Sequence, residues 1–212
     1  YITKDKRLLN ELQGLYVMAI AFGMVQDDTK RIFERRLEAL VKAADYHLAT
    51  GFLSTPFLLD VLWDAGFHDT ACKVLYQDTC PSWLYGVKMG ATTIWENWEG
   101  IREDGSISTH SFNHYAYGCV CEWIWETVAG IAADLATPGF KHIIMKPIPD
   151  KRLGHVTAEY RSAAGLIKSA WKYEGDTWIW EFTIPKGVTA TVTLPGEVKS
   201  KDYGSGTYKV TK

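Results

Sequence analysis

A chain of 212 residues, 47% of them hydrophobic and 23% charged, has the composition of a folded protein with room for one or two domains. Its formal charge of -2 provides no basic surface for nucleic acid or an anionic membrane, and no stretch approaches the roughly 20 apolar residues needed to span a bilayer. Neither a nucleic-acid nor a membrane partner is expected, and the ligand is expected to be neutral or weakly charged. The start at Tyr1, without an initiator Met or a signal peptide, reads as a fragment or a processed chain, so localisation is not legible at the N-terminus. The cysteines at positions 72, 80, 119 and 121 lack metal-type CxxC spacing and read as reduced thiols, which favours a reducing compartment such as the cytoplasm. Nine Trp are many for this length, and aromatic faces hold the C–H faces of sugar rings. Three of them are expected in a site and the remainder in the core.

The first half is helical. Leu8, Leu12, Leu15, Tyr16 and Ala19 predict one apolar face, in a helix that starts near Lys6. After an Asp27-Asp28 start signal, Phe33, Leu37, Leu40, Val41, Ala44 and Leu48 predict the next, so the pair reads as an α-hairpin. Thr55-Pro56 is an N-cap and first-turn pair, Leu58, Val61, Leu62 and Ala65 run at helical spacing to a stop at Gly66, and Asp69 opens a further helix through Leu75. Between Ser111 and Leu135 little polar face remains, which predicts a helix buried on all sides. Amphipathic outer helices alternating with buried inner ones suit an (α/α) barrel, and no fixed repeat period supports a solenoid.

Beyond Thr137-Pro138-Gly139 the period becomes two. Ile167, Trp171 and Tyr173 alternate with Lys168 and Lys172; Glu174 to Thr177 forms a turn; Trp178, Trp180, Phe182 and Ile184 alternate again, followed by Val188, Ala190, Val192 and Leu194. Short antiparallel strands predict a β-sandwich, with domains at 1–137 and 138–212.

Two segments carry candidate chemistry. Gly90 to Gly100 reads GATTIWENWEG, with Glu96 and Glu99 set among Trp95 and Trp98. Burial among indoles would raise a carboxyl's pKa and poise it as a general base, whereas the bland alternative is a helix cap or a partner for Arg102. Ser108 to Gly118 reads STHSFNHYAYG; His114 and Asn113 can each donate to and accept from sugar hydroxyls, although for His114 the spacing alone favours a satisfied core position. His110 and His114 lack a third metal ligand, so neither metal nor cofactor is expected. Two aromatic loops, Gly51 to Phe57 and Cys80 to Gly86, could line a sugar subsite; for Phe52 and Phe57 a core plug is the favoured reading.

The order TGFLSTPFLLDVLWDAG, Cys80-Pro81-Ser82-Trp83, GATTIWENWEG and SFNHYAYG resembles the C-terminal half of the bacterial α-L-rhamnosidases, glycoside hydrolase family 78, from about Gln13 to Gly196. The resemblance implies an (α/α)6 barrel, of which residues 1–136 supply about half, followed by a C-terminal β-sandwich. It implies inverting hydrolysis of terminal α-L-rhamnose, with Glu96 rather than Glu99 as general base, His114 contacting the sugar, Trp95 and Trp98 flanking the base and Trp83 as a further ring contact. The family's general acid lies in an Asp- and Glu-rich stretch that has no counterpart upstream of Glu96. The chain alone is therefore expected to be inactive, to need the missing N-terminal barrel half, and to self-associate through uncovered apolar helices. A non-catalytic sugar-binding module and an (α/α)-barrel glycosidase of other specificity are the competing readings.

Overall fold

The computed structural model describes residues 2–212, which form two compact units that divide between Val120 and Cys121. The first unit is built from α1 (Gln13–Ala21), α2 (Asp27–Ala43), α3 (Thr55–Asp64), α4 (His68–Tyr76) and α5 (Trp83–Lys88). In α2, Phe33, Leu37 and Val41 recur every fourth residue and are fully buried, with Asp27 and Asp28 at the positive end of the helix dipole and Lys42 at the negative end. They meet Tyr16 and Val17 of α1 and Leu58 and Leu62 of α3 in one core. α3 stops at Gly66, whose φ of +85° is the left-handed turn a glycine takes without steric cost.

Three expectations need correcting in this unit. α1 begins at Gln13, not near Lys6, and its buried residues are Gln13, Tyr16, Val17, Ala19 and Ile20. Leu12 and Leu15 are exposed, because α1 is apolar nearly all round and periodicity does not select its inner face. Ser54, not Thr55, holds the cap position of α3; Thr55 lies inside the helix and donates its hydroxyl to the Gly51 carbonyl.

The predicted helix from Ser111 to Leu135 does not form as one element. A 3-10 turn at Ala116–Cys119, the single turn α6 (Val120–Trp123) and a π turn at Ile124–Val128 occupy its middle, and Ile131–Ala133 is strand β1. The physical reasons lie at its two ends. Backbone groups of Ser111 and His114 bond to Glu96 and Ile94 and so are withdrawn from helix formation. At Gly130, φ is +75° and a Cβ would lie 2.1 Å from the Pro147 nitrogen, so the chain turns sharply where only glycine fits.

The second unit contains β1, β2 (His142–Met145), β3 (His155–Ser162), β4 (Gly165–Glu174), β5 (Thr177–Ile184), β6 (Thr189–Thr193), β7 (Ser200–Tyr203) and β8 (Gly206–Thr211). They form two four-stranded sheets, β1-β2-β6-β7 and β3-β4-β5-β8, in the predicted sandwich-like arrangement. Inward residues Ile143, Met145, Ile167, Trp171, Trp180, Phe182 and Ala190 are almost completely buried, as period-two alternation requires. One pairing departs from the antiparallel expectation: β2 runs parallel to β6, His142 opposite Thr189. Among the described residues no cysteine forms a disulfide, and no helix is long and apolar enough to cross a membrane.

Candidate active site

All the candidate site residues lie in the first unit, on two irregular segments that pair. The Glu96 N–H donates to the Ser111 carbonyl at 2.9 Å, and the His114 N–H donates to the Ile94 carbonyl at 2.9 Å. The Thr93 hydroxyl donates to the Phe112 carbonyl. Glu96 also uses its side chain, its Oε2 accepting from the Ser111 N–H at 2.8 Å. The carboxylate is thus oriented by backbone while half-buried, where the sequence reading places it in a more enclosed indole environment. Charged groups held by fixed N–H donors keep their direction without side-chain help.

His114 is set by a similar economy. Its Nδ1 accepts from the Ala116 N–H at 3.3 Å, which places the ring proton on Nε2. The imidazole stacks on Phe52 with centroids 4.6 Å apart and planes 18° apart, and lies near-parallel to Tyr115. Asn113 is exposed, and its backbone N–H donates to the Ser111 hydroxyl.

The three candidate tryptophans come together. Trp83, Trp95 and Trp98 line a cavity of about 260 Å³ with Val87, Thr93 and Tyr117. Trp98 stacks on Tyr117 at 3.8 Å, and Trp83 meets Trp98 edge-on at 5.7 Å while donating its indole N–H to the Tyr117 carbonyl at 2.8 Å. Trp95 is buried and packs edge-on against Phe112. Glu96, His114 and Asn113 are not among the lining residues, although the ladder that carries Glu96 and His114 shares Thr93, Ile94 and Trp95 with the cavity wall.

Glu99 takes the bland role considered for Glu96. It is exposed and pairs with Arg102 at 3.7 Å. Burial, with the nearby charges of Glu99 and Glu103, pushes the Cys80 thiol up to about 11, so at neutral pH it carries no thiolate nucleophile. Two further residues stand at the site, Tyr117 and Phe52. Tyr117 is buried at the cavity, its phenol pushed up by desolvation, and its place in the SFNHYAYG motif was the available signal. Phe52 is not a core plug: it is 40% exposed and contacts His114 and Tyr117. Phe57, half-buried, packs against Phe22.

Both parts of the chain match known protein domains. The bacterial α-L-rhamnosidase 6 hairpin glycosidase domain matches residues 1–128, and the bacterial α-L-rhamnosidase C-terminal domain matches residues 130–209. An α-L-rhamnosidase of Streptomyces avermitilis is 37% identical over 200 residues, 93% of this chain but 19% of that protein. One of Formosa agariphila is 37% identical over 186 residues, 86% of this chain and 20% of its own length. The S. avermitilis α-L-rhamnosidase complexed with L-rhamnose matches in structure with a TM-score of 0.91 and 33% identity, over 100% of this chain and 22% of that one. The native enzyme from Aspergillus terreus gives 0.92 and 31%, over 100% and 25%. The chain spans about a fifth of the length of the curated relatives it matches. The matched domains change over between residues 128 and 130.

Proposed function

Because the chain belongs to the bacterial α-L-rhamnosidase six-hairpin glycosidase family, we propose that it is the portion of an inverting α-L-rhamnosidase that supplies the general base, Glu96. The observation that carries this reading is the Glu96–Ser111 and Ile94–His114 ladder, which holds a carboxylate and an imidazole N–H on one short scaffold beside an aromatic cavity.

In this mechanism Glu96 removes a proton from a water molecule whose oxygen attacks the anomeric carbon of a terminal α-L-rhamnosyl group. The glycosidic bond breaks, and a second carboxyl group protonates the departing oxygen. The two carboxyls stand roughly 6.5–9.5 Å apart so that water fits between base and sugar. That acid belongs to a part of the enzyme outside these 212 residues, and the isolated chain is inactive. His114 donates from Nε2 to a sugar hydroxyl, Asn113 adds a second polar contact, and Trp83, Trp95 and Trp98 shape the apolar wall.

The test is hydrolysis of an aryl α-L-rhamnoside by this chain and by the longest protein that contains it. Turnover by the long form alone is expected. In the long form, Glu96→Gln should lower kcat by about 10²- to 10⁴-fold with KM nearly kept, the scale of a lost general base. Undiminished turnover by that variant removes Glu96 from the role, and activity in the 212-residue chain means that its acid is present here.

A further inference from the structure

The loop before α3 presents two large apolar side chains outward, Phe52 at 40% and Leu53 at 76% exposure, yet its backbone is unusually well braced. The Gly51 carbonyl accepts from the Thr55 N–H at 2.9 Å and from the Thr55 hydroxyl at 2.9 Å, and the Thr55 hydroxyl also pairs with that of Thr50 at 2.8 Å. Thr50, Ser54 and Thr55 are all buried. From α1, the Gln13 side chain accepts from the Ala49 N–H at 3.0 Å and donates to the His47 carbonyl at 3.1 Å. Gly14 comes so close that a Cβ there would lie 2.6 Å from the Ser54 hydroxyl oxygen. A loop secured from two helices and an internal hydroxyl cluster holds its exposed side chain in one place.

That side chain lies flat against His114. Three features then fix the imidazole: its backbone is in the ladder with Ile94, its Nδ1 edge is taken by the Ala116 N–H, and its plane is set by Phe52. Among the described residues Nε2 has no hydrogen-bond partner, so the one remaining polar atom of the ring is available for an incoming group.

We infer that Phe52 is a positioning residue for His114, and that the braced Thr50–Thr55 loop exists to hold the imidazole plane so that Nε2–H meets a hydroxyl of the bound sugar at a fixed angle. The inference rests on the reading of His114 as a sugar contact. Phe52 itself acts through the ring and need not touch substrate.

A double-mutant cycle on kcat/KM for an aryl α-L-rhamnoside, in the longest active protein, tests it. Phe52→Leu should lower kcat/KM by about tenfold, mostly through KM, as misplacement of a binding group does. Phe52→Tyr, which restores the aromatic face, should recover most of that loss. In a His114→Ala background, Phe52→Leu should cost little more, because coupled residues are not additive. A further tenfold loss in that background overturns the inference, since Phe52 would then act independently of His114. As a second readout, NMR relaxation of the His114 ring in this chain should report a rigid imidazole; Phe52→Leu should raise its mobility and Phe52→Tyr should not. Unchanged ring mobility in Phe52→Leu also overturns it. Retained activity in Glu96→Gln would remove the base assignment yet leave both the Phe52–His114 coupling and the relaxation measurement readable, so the two failures are distinguishable.

Discussion

Gly100 closes the GATTIWENWEG segment, and there is no room at it for a side chain. A Cβ would lie 2.4 Å from the Trp95 ring, which is itself only 7% exposed and cannot swing aside. Gly100→Ala is therefore an overpacking change, expected to cost about 1–3 kcal/mol in denaturant unfolding, with no change in slope. Unaltered stability would mean that Trp95 repacks freely. At this scale the sequence was informative about residue type and less so about environment. The indoles around Glu96 suggested a carboxylate enclosed in apolar surface, but the ring that is buried is Trp95, while the Glu96 side chain turns to the Ser111 N–H. A side chain bonding to backbone fifteen residues away has no local signature, so neither this bond nor the stack of His114 on Phe52 could be read from spacing.

At the scale of elements, two ties stand out, one buried and one half-buried. Ser169 of β4 is fully buried, donates its hydroxyl to the Ala129 carbonyl at 2.6 Å and accepts from the Trp180 indole N–H at 2.9 Å. Ser169→Ala strands a buried donor and a buried acceptor and should destabilise by about 1–3 kcal/mol in equilibrium unfolding; a value near zero would imply that water replaces the hydroxyl. In the first unit, Arg36 of α2 forks onto Glu11, just ahead of α1, with Nε 2.6 Å from Oε1. This hydrogen bond holds the Glu11 carboxyl below its ordinary 4.5. The folded value is the lower one, so the contribution is complete above about pH 4.5 and fades as pH falls through the folded value. Arg36→Ala should flatten the acid limb of a stability-versus-pH curve below that point, and an identical limb would show the pair to be idle. Periodicity made α2, β4, β5 and β6 legible because each has one wet and one dry face. It failed between Ser111 and Leu135, where an apolar composition concealed a chain that leaves the helix at Gly130 and engages Glu96 and Ile94 at its start.

On the scale of the whole molecule, Leu9, Leu12, Phe22 and Met24 expose between 57% and 72% of their surface at and around α1. Exposed large apolar side chains favour burial against another molecule. Sedimentation of the isolated chain should show mass rising with concentration, and a single monomer species over a hundredfold range of concentration would contradict this. The parallel pairing of β2 with β6 has a consequence for how the second unit assembles. His142 and its partner Thr189 are 47 residues apart, and the chain between them contains β3, β4 and β5 joined by tight turns. Closing a loop of that length while it is unstructured costs entropy that the three-strand meander, once formed, has already surrendered, since it replaces residues 155–184 by a folded block whose ends lie one strand length apart. The meander is therefore the early-folding unit and the parallel seam the late one: in pulsed hydrogen exchange during refolding, amides of β4 and β5 should gain protection before those of β2 and β6, so that the sheet holding the chain's first strands is the last to close.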